Sequence, residues 1–319
     1  MRSEGVTVLM PVYNAQKYVL YSIEALLNQD FDNFQILIVD DACTDDSISV
    51  IESFGSDKIK IIHNDVNRNV AYSLNRGLDL IDTKYIMRAD ADDILHKSWI
   101  KIMYEYMERN PETAVAGTEW VYIREDTKIN NNWRLPNLSD SMIMDSEQIR
   151  YRYLFYPCIH HASLIMRNSV IQDKGYRYDE TVGNAEDFEL IRRIVLEEVT
   201  AVLKLPLLAY RRHSEAVSKN VVNDRARIMG NVVRKSLAMY DINISQETAE
   251  LFIKISLNEA PFTMKREDFD TLQEVFDEQI YRNKKLAPKI NPYLCNESIA
   301  RAKKRFEEVN GLCNRDEFI

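Results

Sequence analysis

The chain reads as an α/β protein, with a mostly parallel sheet flanked by helices and a helical region at its C-terminal end. Three observations predict this. Short Val- and Ile-rich runs alternate with helically spaced segments through the first hundred residues. From about residue 222 only the helical period persists. The charge also shifts: residues 1–215 carry 24 Lys and Arg against 34 Asp and Glu, whereas residues 216–319 carry 17 against 16, which places a domain boundary near residue 215.

The elements follow in order. VTVLM (6–10), FQILIVD (34–40), KIKIIH (58–63) and KYIMRAD (84–90) have the composition of buried strands, and segments 17–29, 46–54 and 70–81 between them have helical spacing. Strands joined through helices pair in parallel, so this is a βαβαβαβ unit. A helix over 99–109 and an apolar run, AVAGT (114–118), continue the pattern. NAEDFELIRRIVLEE (184–198) reads as a helix whose acidic first turn suits the helix dipole. In the last third, Ile228, Val232 and Leu237 mark one amphipathic helix, and Phe269, Leu272, Phe276 and Ile280 another.

Composition excludes several function classes. A net charge of -9 argues against general nucleic-acid binding, which needs a basic footprint. The opening residues lack the pattern of a secretory signal, and no apolar run approaches bilayer-spanning length. Cys43, Cys158, Cys295 and Cys313 are scattered, without zinc spacing, as expected in a reducing compartment. These features predict a cytoplasmic protein.

Open parallel sheets bind ligands beyond the carboxyl ends of their strands. The loops expected there are PVYN (11–14), DDACTDDS (40–47), NDVNRN (64–69) and DADD (90–93), and they concentrate carboxylates and amides on one edge. DADD drives an apolar run into Asp90, Asp92 and Asp93. Carboxylates so close raise one another's pKa values unless a cation or hydrogen-bond donors compensate. Hard divalent ions such as Mg²⁺ and Mn²⁺ prefer such oxygens, usually taking one or two from protein while phosphates and water complete the shell. Simple capping of the helix near Trp99 is the bland alternative. In DDACTDDS, Asp45 or Asp46 is placed to cap the helix starting near Ser47. An acidic pair after a strand also occurs in phosphoacceptor receiver domains, but those are shorter and carry the pair after the first strand.

Residues 6–47, NDVNRNVAYSLNRGLD, YIMRADADDI and AEDFEL together resemble the nucleotide-sugar-dependent glycosyltransferases of family 2, which adopt the Rossmann-like GT-A fold. The resemblance spans about the first two thirds of the chain, in the family's order and spacing. It implies that Pro11, Tyr13, Asp40 and Asp41 line a nucleobase and ribose pocket, with Asp41 accepting a hydrogen bond from the base. It places Asn69 and Asn75 near the nucleotide and Asp90 and Asp92 at the ribose. Asp92 and Asp93 are implied to hold Mn²⁺ or Mg²⁺, and Asp187 to be the catalytic base. Ala42 and Cys43 stand where such families often have glycine and serine. Asn69 stands for the glycine of an NxG turn, which is tolerable because Asn enters left-handed backbone more readily than most residues.

The resemblance further implies inverting transfer from a nucleoside diphosphate sugar, a UDP-sugar in particular, to a saccharide or lipid-linked acceptor in cell-surface polysaccharide biosynthesis. Catalysis would belong to residues 1–215, and residues 216–319 would frame the acceptor or mediate self-association as a homo-oligomer. His160-His161, and Tyr210-Arg211-Arg212-His213 with Ser218, fall where family members place acceptor- and phosphate-side residues; Arg211 and His213 are carried as phosphate contacts. A paired His without a third ligand is more often structural. Basic residues including Arg282, Lys284, Lys285 and Arg301 could attract anionic headgroups and hold the protein peripherally at the inner membrane face, although the interspersed Glu307 and Glu308 suit a solvated helix better. Two rival readings remain. A sugar-nucleotide nucleotidyltransferase needs a glycine-rich loop that PVYNAQKY lacks. A non-catalytic nucleotide-binding module has no need of both the aspartate cluster and Asp187.

Overall fold

A computed structural model of the chain describes residues 3–154, 157–214, 222–256 and 266–275, together with Ile280. They form two compact units. The first comprises Met1–Asp145, Ile159–Thr181 and Glu197–Lys219; the second comprises Ser146–Cys158, Val182–Leu196 and Asn220–Ile319.

The first unit begins with β1 (Ser3–Val12), α1 (Val19–Leu27), β2 (Phe34–Asp40), α2 (Ser47–Glu52), β3 (Ile59–His63), α3 (Asn69–Leu80) and β4 (Thr83–Arg88). This is the alternation expected from the sequence. β5 (Ile94–Leu95), α4 (Trp99–Arg109), β6 (Thr113–Arg124) and β7 (Ile143–Met144) follow. The chain then contributes α5 (Ser146–Tyr153) to the second unit and returns with β8 (Ile165–Arg167) and α6 (Asn168–Asp173). After α7 (Glu186–Glu197), again of the second unit, β9 (Val199–Arg212) completes the sheet.

The nine strands run in the order β3-β2-β1-β4-β8-β6-β9-β5, with β7 also paired to β9. β3, β2, β1 and β4 are mutually parallel. The other half is mixed: β6 and β9 are parallel to each other, β8 runs antiparallel between β4 and β6, and β5 and β7 pair antiparallel with β9. β2 and β4 are buried along almost their whole lengths, which is why they read as unbroken apolar runs. α3 approaches β1 closely at Gly77, where a Cβ would fall 2.3 Å from Leu9 Cδ1.

β9 is the longest strand that periodicity did not single out, because Pro206 interrupts its run. Proline cannot donate to the ladder. The β6–β9 register shifts there, with Glu119 opposite Pro206 and Trp120 opposite Leu208. The Pro206 carbonyl accepts from Trp133 Nε1 at 2.8 Å, and the Leu207 carbonyl from His96 N–H at 2.9 Å. Beyond this irregularity both strands continue to Arg124 and Arg212 and carry side chains toward the strand-end loops.

The second unit is helical: α5, α7, α8 (Val222–Ala238), α9 (Gln246–Ser256) and α10 (Arg266–Glu274). Arg192 of α7 is fully buried and donates to the Tyr153 and Val233 carbonyls, so it ties α7 to α5 and α8. Gly230 lets α8 meet α9 backbone to backbone; a Cβ there would lie 3.0 Å from Glu250 N. Phe276, Ser218 and the basic residues beyond 281 lie outside the described residues.

Candidate active site

Parallel pairing brings the strand-end loops together. Val12 is opposite Asp40, Asp40 opposite His63, and Leu9 opposite Arg88, so the loops after β1, β2, β3 and β4 leave one edge of the sheet. The first two are laced to each other. Asn14 Nδ2 donates to Thr44 Oγ1 at 3.1 Å, the Thr44 N–H returns to Asn14 Oδ1 at 2.8 Å, and Asp45 accepts the Gln16 N–H at 3.1 Å. Asp45, not Asp46, caps α2, accepting from Ser47 N–H at 3.0 Å. Asn14 (φ 48°), Ala42 (φ 61°) and Asn69 (φ 70°) are all left-handed. Asn69 thus has the backbone that an NxG glycine would supply, and Ala42 does so despite its Cβ.

The Asp40-Asp41 pair is buried and largely satisfied. Asp40 accepts from the Cys43 N–H at 2.8 Å and pairs with His63 Nδ1 at 2.8 Å. Burial acts to raise its pKa, but these partners outweigh it and hold the carboxyl below its ordinary value. Asp40 therefore rigidifies the loop. Asp41 accepts from Asn64 Nδ2 at 2.7 Å and the Arg68 N–H at 2.9 Å through Oδ1. Its Oδ2 carries no hydrogen bond among the described residues, which leaves it an acceptor to offer. Tyr13 is exposed and Pro11 half-buried beside it. Asn75 bonds to the Tyr178 backbone on both sides and to Glu180 Oε1, so its side chain is committed to holding residues 178–180 on α3.

The loop after β4 is built differently. Asp90, Asp92 and Asp93 each offer a carboxylate oxygen, and these oxygens lie within 4.8 Å of one another. Asp90 pairs with Arg88, which is buried at the end of β4. Asp92 meets His213 Nε2 at 2.8 Å, and Asp93 Oδ1 accepts the Arg211 N–H at 2.9 Å. Asp93 is 1% exposed and its Oδ2 has no hydrogen-bond partner. Burial, then repulsion from Asp92 and Asp90, raises its carboxyl well above the usual range. A clustered all-oxygen donor set with one buried oxygen unsatisfied fits a hard divalent cation.

Arg211, carried as a phosphate contact, is buried at the end of β9, and its Nη2 has no hydrogen-bond partner among the described residues. It is 2% exposed; its Nη1 donates to the Arg124, Glu125 and Thr127 carbonyls and its Nε to the Asp92 carbonyl. The side chain braces the aspartate loop against the end of β6. His213 is buried against Tyr18, with ring centroids 4.6 Å apart, and orients Asp92. His160 and His161 are aromatic packing elements: burial pushes His160 down to about 4 and His161 well below its ordinary value. His161 bonds Tyr178 Oη at 2.7 Å. Asp187 lies in the second unit, half-buried in the first turn of α7, where Oδ1 accepts the Phe188 N–H at 2.6 Å.

Sequence reasoning passed over Arg88, Asn14 and Asn64. Arg88 had a legible signal, a lone cation inside an apolar strand directly before the acidic cluster. Asn14 and Asn64 had none beyond being polar residues in the right loops.

The Glycosyl transferase family 2 sequence profile matches residues 7–175. An uncharacterized glycosyltransferase of Haemophilus influenzae is 28% identical over 239 residues, which is 74% of each chain. Among solved structures, S. aureus TarS residues 1–349 in complex with UDP-GlcNAc aligns over 96% of this chain and 90% of that one, with a TM-score of 0.59 and 16% identity. The Pyrobaculum calidifontis mannosyltransferase PcManGT, bound to GDP-Man and Mn²⁺, aligns over 94% and 86%, with a TM-score of 0.54 and 14% identity. At these identities the structures speak to the fold, and it is the same mixed, helix-flanked sheet. The profile match covers more than half of the chain, and the protein belongs to glycosyl transferase family 2 with the GT-A fold.

Proposed function

We propose that the protein is an inverting, divalent-metal-dependent glycosyltransferase that uses a UDP-sugar to extend a saccharide or lipid-linked saccharide in cell-surface polysaccharide biosynthesis. The observation that carries this is the Asp90, Asp92, Asp93 cluster at the carboxyl end of β4, with Asp93 Oδ2 buried and unsatisfied. TarS with UDP-GlcNAc and PcManGT with GDP-Man and Mn²⁺ lend the nucleotide sugar and the metal by likeness of fold. Tyr13, Pro11, Asp41 and Asn69 would receive the nucleoside, and Asp90 and Asp92 the ribose and phosphates. Asp92 and Asp93 would hold Mn²⁺ or Mg²⁺, which as a Lewis acid neutralises charge developing on the leaving diphosphate.

The chain's own groups do the rest. Arg88 and His213 hold Asp90 and Asp92 in place, and Arg211 fixes Asp93 through its backbone N–H. Asp187 would take the proton of the acceptor hydroxyl as the new bond forms, since a sugar hydroxyl is a weak nucleophile at neutral pH. A single displacement then inverts the anomeric centre. Residues 1–215 would carry the catalytic residues, with 216–319 framing the acceptor or mediating self-association.

Calorimetry with UDP and Mn²⁺ tests the site: binding that depends on the metal and is lost in Asp92→Ala and Asp93→Ala supports it, and unchanged binding in both refutes it. UDP release across a panel of nucleotide sugars identifies the donor. Asp187→Asn should leave UDP affinity intact and lower turnover by about two to four powers of ten.

A further inference from the structure

Strand alternation sorts the extension of β6 and β9 beyond Pro206 into two chemically distinct faces. Ile123 and Arg211 point to the face that braces the aspartate loop; the Arg211 side chain donates there to the carbonyls of Asp92, Arg124, Glu125 and Thr127. The opposite face carries Trp120, Tyr122 and Arg124 from β6, and Tyr210 and Arg212 from β9. The register sets Tyr122 opposite Tyr210 and Arg124 opposite Arg212.

This second face is a continuous aromatic platform. Ring centroids step from Tyr122 to Tyr210 at 5.9 Å, from Tyr210 to His160 at 4.7 Å, and from His160 to Trp120 at 5.1 Å. Trp120 and Tyr210 are half-buried and footed on the core, whereas Tyr122 is 54% exposed. Aromatic side chains of this size are usually buried, so a supported and exposed set marks a binding surface. The Arg212 guanidinium lies 3.6 Å from the Tyr122 ring centroid. It makes no hydrogen bond or ion pair among the described residues, so its donors face outward while the ring fixes its plane. Tyr122, Arg124, Asp126 and Arg212 line an open groove of about 770 Å³. Glu125, which also lines the groove, accepts the Tyr18 hydroxyl at 2.8 Å, and Asp126 is 4.0 Å from the highly exposed Arg124, so neither carboxylate is paired with Arg212 and its guanidinium edge is open to an incoming anion.

We propose that the Trp120, Tyr122, Tyr210 and Arg212 face is a subsite for an acidic saccharide, the rings stacking on sugar faces and Arg212 pairing with a carboxylate or phosphate of the glycan. The proposal rests on the transferase reading and names the acceptor's chemical class. The platform adjoins the donor side through β9: Arg211, between Tyr210 and Arg212, donates its backbone N–H to Asp93 Oδ1 at 2.9 Å and its Nε to the Asp92 carbonyl at 2.9 Å. Saccharides present alternating apolar C–H faces and polar rims, which suits a ring platform with a cation at its edge. A planar guanidinium also recognises carboxylate and phosphate bidentately, which an ammonium does not.

The test is direct binding to the full chain, without donor, of three probes: a uronic-acid tetrasaccharide, a phosphodiester-linked tetrasaccharide and a neutral tetrasaccharide. At least one acidic probe should bind about tenfold or more tighter than the neutral one, since a charge-assisted hydrogen-bonded contact is worth about a factor of ten or more. Which acidic probe wins separates a carboxylate from a phosphate glycan. Arg212→Ala should remove that preference, Arg212→Lys should restore part of it, and Tyr122→Ala should weaken all probes, with UDP affinity in Mn²⁺ unchanged throughout. Equal binding of acidic and neutral probes, no binding of any, or indifference to Arg212→Ala and Tyr122→Ala would overturn the proposal. If acidic probes bind as expected while the wild-type protein fails to bind UDP, the transferase reading fails and the saccharide subsite stands.

Discussion

The loop after β2 and the loop after β4 leave the same edge of one sheet, with four carboxylates in residues 40–46 and three in residues 90–93. In the first, the fold supplies partners: the Cys43 N–H and His63 for Asp40, Asn64 and the Arg68 N–H for Asp41, Ser47 and the Gln16 N–H for Asp45. In the second, three carboxylates share Arg88, His213 and one backbone N–H, and a buried oxygen is left over. Equal acidity in sequence therefore conceals opposite electrostatics. The first loop has its carboxylates largely hydrogen-bonded within the fold, and the second leaves a buried carboxylate oxygen without a partner among the described residues.

The comparison breaks most sharply at Arg88. Arg88→Met leaves the half-buried Asp90 beside two like charges without its cation, and the loss should approach but not reach the ~3–5 kcal/mol that breaking a fully buried pair costs. Urea denaturation in a chelator should show that loss, and Mn²⁺ should recover part of it. Unchanged stability would mean that Asp90 is compensated elsewhere.

Neutralising one carboxylate in each loop should act in opposite directions. Asp41→Ala strands the donors that it satisfies and should cost about 1–3 kcal/mol. Asp93→Asn removes a repelled, buried charge and should raise the melting temperature of the metal-free protein while abolishing the rise that Mn²⁺ gives the wild type. Losses of similar size in both variants would erase the distinction between the loops.

Acid should separate them again. The Asp40 pKa is lower in the fold than in the unfolded chain, so its stabilisation is full above the ordinary value of 3.8 and is lost as pH falls through the depressed one. The Asp93 pKa is raised, so its protonated form favours the fold: that contribution is present below 3.8 and is lost as pH rises through the elevated value. In chelator, the melting-temperature advantage of wild type over Asp40→Asn should shrink toward acid. The disadvantage of wild type against Asp93→Asn should shrink as well. A disadvantage constant with pH would contradict the Asp93 assignment.

The smallest effect tests the first loop. Ala42 holds φ 61°. Left-handed backbone costs a Cβ-bearing residue roughly 1–2 kcal/mol, partly offset by the extra unfolded-state freedom of glycine, so Ala42→Gly should stabilise by about 1 kcal/mol. Destabilisation would show that the loop depends on the Ala42 side chain.

Much of this was legible beforehand. FQILIVD is β2 to the residue, Trp99–Arg109 is the helix expected over 99–109, and the four strand-end loops do share an edge. These features are local or follow from βαβ connectivity. β9 was not legible, because Pro206 breaks its period and its partners lie nearly ninety residues away in β6. Arg211 and His213 were legible as polar residues beside an acidic site, but their contacts were not: Arg211 meets carbonyls at 124, 125 and 127, and His213 meets Asp92.

The sequence by itself determined the family, the parallel half of the sheet and the presence of an acidic cluster after β4, because hydrophobic period, loop composition and motif order are properties of neighbouring residues. Tertiary structure alone decided which carboxylates are satisfied. A carboxylate's pKa and availability depend on the donors and charges within a few ångströms, and for Asp41 and Asp93 those donors come from residues 64, 68 and 211. Whether an aspartate is a strut or a ligand is therefore settled by residues that its neighbours in sequence do not reveal.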